Sequence, residues 1–117
     1  IYRYNPKDHT CILAASGDFR SQLSAAALGQ TWVAKAALNV AVAAVYDRTT
    51  RFYGPRGTRY VDMEVGHVGQ NVYLIATAMG LGAVVIGAFH DDEVRIVLQL
   101  PREQVPLYII PVGYPKD

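Results

Sequence analysis

Three patterns of apolar positions predict the main elements of this chain. A spacing of three and four residues predicts a helix over Arg59–Met79 with one apolar stripe. A nearly unbroken apolar run predicts a strand over Leu38–Tyr46 that is buried on both faces. The β-branched run Ala83–Ile86 predicts a second buried strand. The residues of the helical stripe are Val61, Val65, Val68, Val72, Ile75 and Met79.

The flanking regions add shorter elements. Alternating residues around a proline turn predict a β-hairpin over Ile1–Leu13. Asp18 is a plausible N-cap for an alanine-rich helix over Phe19–Leu28, and a shorter helix is expected over Gln30–Lys35. Strands and helices follow one another in mixed order, so the predicted class is α+β with a partly antiparallel sheet.

The last part of the chain predicts a helix over Asp91–Leu98 and a strand over Val105–Val112. Pro106 and Pro111 lie within or beside that strand. Because proline cannot donate to a β-ladder, they favour an edge position or the ends of the strand.

The segment Asp47–Thr58 is predicted to be a polar loop, because glycine, proline and charged residues dominate it. Four arginines lie in and beside it, interleaved with aromatic residues. They are Arg48, Arg51, Arg56 and Arg59. Two interpretations stay open: an anion or substrate patch, or an ordinary solvated loop.

Composition and charge exclude several classes of protein. The 117 residues are 51% apolar, enough for the core of one domain, and the net charge of +1 argues against a binder of nucleic acid. Residues 72–89 carry no charge, but Gly80 and Gly82 interrupt the run, so no membrane span is expected. The single Cys11 and the polar N-terminus suggest a cytoplasmic protein.

Two glycine segments invite a ligand-binding interpretation. Gly80-Leu81-Gly82 follows a predicted helix and precedes a strand, the reverse of a dinucleotide fingerprint, so a helix C-cap is the better interpretation. Gly87-Ala88-Phe89 follows a buried strand. Small residues there either let a flat ligand approach the backbone amides or simply form a tight turn.

Classical catalytic and metal clusters have little support. His9 and Cys11 form one weak pair, and His67 and His90 are isolated, so no metal site is predicted. Glu64 and His67 share a helix face and are expected to be a structural or interface pair.

Five segments together resemble the nitroreductase superfamily. Arg59–Leu74 resembles its long interface helix, Met79–Phe89 its passage from helix to strand, and Pro106–Pro115 its closing strand. Ile1–Pro6 and Thr49–Gly57 resemble the SagB-type branch, which includes azoline dehydrogenases. The resemblance spans 1–117 as a single partial domain that corresponds to the C-terminal part of the family's domain.

The resemblance implies an FMN-dependent oxidoreductase, a homodimer in which hydride moves through the flavin N5 atom. The positions that match the family's flavin-facing backbone are Val85, Ile86, Gly87 and Ala88, and Tyr53 matches a catalytic tyrosine. The implied substrates are a small molecule or an azoline-type peptide, with NAD(P)H as a possible electron donor.

One position departs from that pattern, because Phe52 stands where azoline dehydrogenases have lysine. Phenylalanine cannot carry a proton, which weighs against azoline oxidation by the same route. The alternative is a flavin-free binding or scaffold subunit that keeps the dimerisation helix.

Overall fold

The computed structural model describes residues 1–115 and confirms the α+β class. A two-stranded hairpin and a three-stranded antiparallel sheet are combined with five helices over this range. The strands are β1 (Tyr2–Asn5), β2 (Thr10–Leu13), β3 (Leu38–Ala44), β4 (Gly82–Ala83) and β5 (Val105–Gly113). The helices are α1 (Arg20–Ala26), α2 (Thr31–Lys35), α3 (Asp47–Tyr53), α4 (Arg56–Ala78) and α5 (Asp91–Val97).

Strand β5 is the central strand of the larger sheet, in the order β3-β5-β4. Of the two alternatives that the prolines favoured, the edge position is therefore wrong, and the ladder shows how each proline is accommodated. The register shifts between β3 and β5 at Pro106: Val42 pairs with Tyr108 and Ala43 with Pro106, which leaves Leu107 as an extra residue. A bulge is one of the few places where a strand tolerates proline.

Pro111 is accommodated on the other side of β5, facing β4. Its carbonyl accepts a hydrogen bond from the Val84 amide at 3.4 Å, but its ring nitrogen has no hydrogen to return. The regular ladder of β4 ends at Ala83 and resumes only as a single bridge between Ile86 and Ile109. The predicted strand over Ala83–Ile86 is therefore interrupted in the middle, and the prediction that it is buried was wrong, because Val84 is exposed and only Ile86 is buried.

Strand β3 is an edge strand, so the prediction of burial on both faces was wrong. Leu38 and Ala41 are exposed, and of its seven residues only Ala44 is buried. The apolar run indicated a strand correctly, but β3 pairs with β5 alone among the described strands.

The side chains of β5 divide the core between its two faces. Ile109 is fully buried in a cluster with residues of α1, α2 and α5. Ile110 and Val112 point the other way and pack with Ala76 of α4. This alternation is the period of two that a strand imposes.

Helix α4 has 23 residues and begins three residues before the predicted start. Its buried positions are Gly57, Val65, Gly69 and Ala76, whereas Val68 and Ile75 of the predicted stripe are exposed. The core face therefore runs through smaller residues than expected. Gly69 and Ala76 are buried against the rest of the chain, so they are not part of the exposed face of α4.

Helix α4 ends in the glycine cap that the sequence predicts. Gly80 has a φ of +70° and donates to the Thr77 carbonyl at 3.1 Å, while the Leu81 amide donates to Ala76 at 2.8 Å. These two bonds form a Schellman motif, in which glycine adopts the left-handed conformation without a steric penalty.

The segment predicted to be a polar loop contains helix α3, so that prediction was wrong over Asp47–Tyr53. None of its residues is buried, so it has no apolar stripe that could have indicated a helix. Asp47 in the first turn and Arg51 in the last turn suit the helix dipole.

Helix α1 begins at Arg20, and its N-cap residue is Phe19 and not the predicted Asp18. The Asp18 side chain nevertheless accepts a hydrogen bond from the first residue of the helix. The Asp18 carboxylate accepts the Arg20 amide at 3.1 Å and pairs with the Arg20 guanidinium at 2.7 Å. The hydrogen bonds from Arg20 lower the pKa of Asp18 to about 2.

No helix in residues 1–115 combines the length and apolar character needed to cross a bilayer.

Candidate functional site

The turn that follows Ile86 is fixed at both ends by hydrogen bonds. Ile86 exchanges two backbone hydrogen bonds with Ile109, at 2.9 and 3.0 Å. The His90 amide donates to the Ala26 carbonyl at 2.9 Å, and the Gln30 side-chain amide donates to the Ala88 carbonyl at 3.0 Å. The short segment between these anchors is therefore held in place by α1, by the residue before α2, and by β5.

Within that turn, Gly87 and Ala88 are both exposed. Neither of their amides donates a hydrogen bond to any part of the chain that the structure describes. The two preceding predicted positions differ. The Val85 amide donates to the Tyr73 hydroxyl at 2.6 Å, and the Ile86 amide belongs to the ladder with Ile109. Of the four predicted backbone positions, Gly87 and Ala88 therefore keep amides that can receive a ligand.

The aromatic ring of Tyr108 lies beside this turn. A Cβ atom added at Gly87 would meet that ring at 3.7 Å, an ordinary contact distance. A Cβ atom added at Gly69 of α4 would come within 3.3 Å of the same ring and 3.2 Å of Val85. Tyr108 is thus wedged between α4 and the turn, which holds the turn away from the helix.

Tyr53 is the last residue of α3, and 61% of its surface is exposed. Its ring meets the Tyr60 ring edge-on, with a centroid distance of 5.3 Å. Phe52 is also exposed and lies under the Arg51 guanidinium at 4.9 Å. Among residues 1–115, no hydrogen bond or ring contact joins Tyr53 to the turn at Gly87, so these two predicted parts are not brought into contact.

The four arginines of the predicted patch lie on α3 and on the first two turns of α4, and all are exposed. The two ion pairs found between residues 1 and 115, Asp18–Arg20 and Asp92–Arg95, involve none of them. Both interpretations of the patch therefore stay open.

The histidines and the cysteine do not assemble into a cluster in the described range. No group of three potential metal ligands is found there. The Tyr4 hydroxyl lies 2.8 Å from His9 Nδ1 on the exposed hairpin, and Glu64 and His67 are both exposed on α4.

A polar pair that the sequence did not indicate joins the start of α3 to α4. The Tyr46 hydroxyl donates to the Asp62 carboxylate at 2.6 Å. Burial raises the pKa of Tyr46 to about 12, with further contributions from Asp62 and from the charge of Asp91. Strands β3 and β4 both run antiparallel to β5, so Tyr46, which follows β3, lies at the same end of the sheet as the Gly87 turn, which follows β4.

We predict that Tyr46 ionises about two pH units above an ordinary tyrosine. Its folded-state pKa lies above the unfolded value, so its contribution to stability is complete below about pH 10 and is lost as the pH rises through about 12. Ultraviolet titration of the chain, with Tyr46→Phe subtracted, measures this pKa. In Asp62→Asn the value should fall toward 10, and an unchanged value would contradict the assigned role of Asp62.

Two sizeable cavities lie elsewhere on the described chain. One, of about 640 Å³, lies between β1 and β3; the other, of about 720 Å³, lies beside Trp32 and Ala83. Neither is lined by Gly87 or Ala88. Gly87 and Ala88 thus lie outside both of these cavities and are themselves exposed.

Comparison with known proteins identifies the family to which this fold belongs. The model of the nitroreductase family matches residues 1–114. The chain belongs to the nitroreductase family. The superfamily resemblance seen in the sequence is thereby confirmed, whereas the SagB-type branch is not decided by this match.

Individual nitroreductase relatives agree. A candidate nitroreductase of Methanocaldococcus jannaschii, MJ1384, is 48% identical over 113 residues, which are 97% of this chain and 56% of that protein. The structure of a candidate nitroreductase from Anabaena variabilis superposes with a TM-score of 0.92 at 34% identity, over 98% of this chain and 24% of that one. The NADPH:FMN oxidoreductase from Vibrio harveyi, complexed with NAD+, gives 0.72 at 27% identity, over 85% and 46%. The chain thus spans about half the length of its curated relative MJ1384.

Proposed function

We propose that this nitroreductase chain forms part of an FMN-dependent oxidoreductase in which the amides of Gly87 and Ala88 hydrogen-bond to the edge of the flavin ring. The observation that carries the proposal is the pair of exposed amides that have no partner among residues 1–115, on a turn whose two ends are fixed. Fixed backbone donors cost no reorganisation when charge develops on a bound group. The similarity to an NADPH:FMN oxidoreductase supports the choice of cofactor.

The residues of the turn fit a planar ring at its edge. Gly87 carries no side chain above its amide, and Ala88 carries a single methyl group, so a flat group can approach the main chain closely. A bound flavin supplies hydride exchange at its N5 atom. The chain's own part is to orient the ring edge through two N–H donors and to stabilise negative charge on its pyrimidine side.

We assign Tyr53 a role in proton transfer to or from the substrate. Its hydroxyl is exposed at the end of α3, where a substrate can reach it. The neighbouring Phe52 cannot share that role, which favours a small-molecule substrate over the azoline peptides of the SagB-type branch. Turnover by Tyr53→Phe equal to that of the unaltered chain would overturn this assignment.

A homodimer through α4 is part of the same proposal. Apolar side chains remain exposed along this helix although its other face packs on the sheet. They are Met63, Val68, Leu74, Ile75 and Met79. An apolar surface of this kind on a single helix is typical of an interface. Sedimentation that detects only monomer at every concentration would contradict this part of the proposal.

The decisive experiment removes one N–H group without removing a side chain. Gly87→Pro deletes the amide hydrogen, and no hydrogen bond between described residues depends on it. The preceding Ile86 pairs with Ile109 in a β-bridge, which suits the β-region preference of a residue before proline. We expect the Kd for FMN to rise about tenfold, the equivalent of about 1.4 kcal/mol. Quenching of FMN fluorescence measures the affinity.

Gly87→Ala is the matched control, because it keeps the N–H group and its added Cβ has room at 3.7 Å from Tyr108. Its FMN affinity should stay within about threefold of the unaltered chain. Equal affinities for the proline and alanine variants, both folded by circular dichroism, would refute the hydrogen bond from Gly87.

A flavin-free scaffold subunit is the second candidate function. The observation in its favour is that neither of the two cavities described above includes the Gly87 turn, while α4 keeps an exposed apolar face. Absence of FMN binding by a chain that still dimerises would favour it over the oxidoreductase.

A further inference from the structure

We infer that the cavity between β1 and β3 is a slot for one extended strand, which would join the hairpin and the three-stranded sheet into a single sheet. The inference rests on the backbone N–H and C=O groups that two strand edges leave unpaired, and on the residues that line the cavity between those edges. It goes beyond the proposed function and does not depend on flavin binding.

The outer edge of β3 carries backbone groups without partners. Ile109 and Pro111 of β5 direct their backbone groups toward β4, as their bonds with Ile86 and Val84 show. Their partners across β3, Ala41 and Asn39, must therefore direct their own N–H and C=O groups away from β5. Neither makes a backbone hydrogen bond on that side within residues 1–115.

The outer edge of β1 is open in the same way. The Ala14 amide donates to the Ile1 carbonyl at 2.9 Å, which fixes the alternation of bonded pairs along the hairpin. By that alternation Arg3 bonds to β2, while Tyr2 and Tyr4 direct their backbone groups away from it. These groups too have no backbone partner in the part of the chain that the structure describes.

The two open edges lie across the same cavity. Its lining includes Tyr2 and Tyr4 on one side and Asn39 and Ala41 on the other, but no residue of β2. Apolar side chains of α1 and of the segment after α5 line it as well, among them Leu23, Leu98 and Leu100. Asn39, one of these lining residues, also has a buried side-chain oxygen that lacks a hydrogen-bond partner among residues 1–115. Polar residues, among them Arg48 and Gln104, complete the lining. A strand in this slot would find backbone partners on both sides and a partly apolar surface for alternate side chains.

The hairpin itself needs such a cover. Tyr2, Tyr4, Ile12 and Leu13 are each more than half exposed, and an isolated two-stranded hairpin is at best marginally stable in water. A seven-residue apolar edge such as β3 is also a template for aggregation when nothing pairs with it. Both features are explained if a further strand normally lies between the two edges.

The occupant to which we commit is an extended, mainly apolar segment from the part of the nitroreductase fold that the relatives carry beyond their match. Nearly half of MJ1384 has no counterpart in these residues, because the match covers 56% of its length. An apolar occupant suits the leucines that line the slot and the small side chain of Ala41.

Overlapping 15-residue peptides covering the unmatched part of MJ1384 test the inference. Each is added to the isotope-labelled 117-residue chain, and amide hydrogen exchange is followed residue by residue. One peptide should slow exchange at Tyr2, Tyr4, Asn39 and Ala41 by at least about tenfold. Arg3 and Val40, whose amides already lie in ladders, are internal controls and should change little.

Two controls separate strand pairing from unspecific binding. The active peptide, N-methylated at every second residue, should lose at least about tenfold in affinity, because it cannot donate to one of the two edges. Ala41→Pro should abolish protection, whereas Ala41→Ser, which keeps the N–H group, should retain it. The inference is overturned if no peptide protects both edges, if only β3 is protected, or if protection appears without peptide as the chain is concentrated.

Discussion

Replacing Ile109 by alanine is expected to lower the free energy of unfolding by about 4 kcal/mol. Its side chain is fully buried at the centre of β5, in a cluster built from three helices and the bridge at Ile86. Truncating an isoleucine in such a place removes its transfer free energy and leaves a cavity, which together cost roughly 2–5 kcal/mol. Urea denaturation followed by circular dichroism measures the change.

Ile96→Ala is the matched control for this prediction. Ile96 lies on α5 with 71% of its surface exposed, so the same truncation there should change stability by less than about 0.5 kcal/mol. If the two variants unfold at the same urea concentration, the assignment of Ile109 to the core is wrong.

Gly57→Ala is expected to destabilise the chain by about 2–3 kcal/mol, although alanine is the better helix former. A Cβ atom at this position would lie 2.8 Å from the Thr50 Cα and 2.9 Å from its amide nitrogen. Both atoms are backbone, so α3 would have to move away from α4 as a whole. Overpacking of this kind typically costs 1–3 kcal/mol, and the clash falls at the start of α4.

Gly66→Ala, on the same helix, should have the opposite sign. Nothing lies within 4 Å of a Cβ atom there, so the helix propensity of alanine should raise stability by up to about 1 kcal/mol. Comparing the urea midpoints of the two variants decides the matter. A destabilised Gly66→Ala together with an unaffected Gly57→Ala would reverse the packing described for α3 and α4.

The elements that could be predicted from the sequence are those whose signals are local. The end of α4 was predicted because Gly80 supplies the left-handed residue that its cap requires. Helix α3 was missed because none of its side chains is buried, so its sequence carries no periodicity. The prolines of β5 left an edge position and the strand ends as alternatives, and the edge position is wrong because a bulge and a gap in the neighbouring strand accommodate both prolines in a central strand.

The residues of the candidate site could likewise be predicted from the sequence only in part. The pattern of small residues after a strand left a ligand site and a tight turn open, and the resemblance to the nitroreductase superfamily implied flavin contact at Gly87 and Ala88. Their amides are free of partners within the described range. The bond from Tyr46 to Asp62 joins residues 16 apart, and the bond from Val85 to Tyr73 joins residues 12 apart. No pattern along the chain marks such pairs, because only the packing of α4 on the sheet brings them together.

The two prolines of β5 also decide which edge of the sheet can pair with a further strand. On the β4 side, Pro111 offers no hydrogen and the flanking strand keeps only two residues in regular pairing, so that margin is a poor template for another strand. On the opposite margin, seven residues run without a proline or a charge. Any further chain that extends this sheet is thereby directed to one side, and the blocked side limits stacking of copies into an open-ended array.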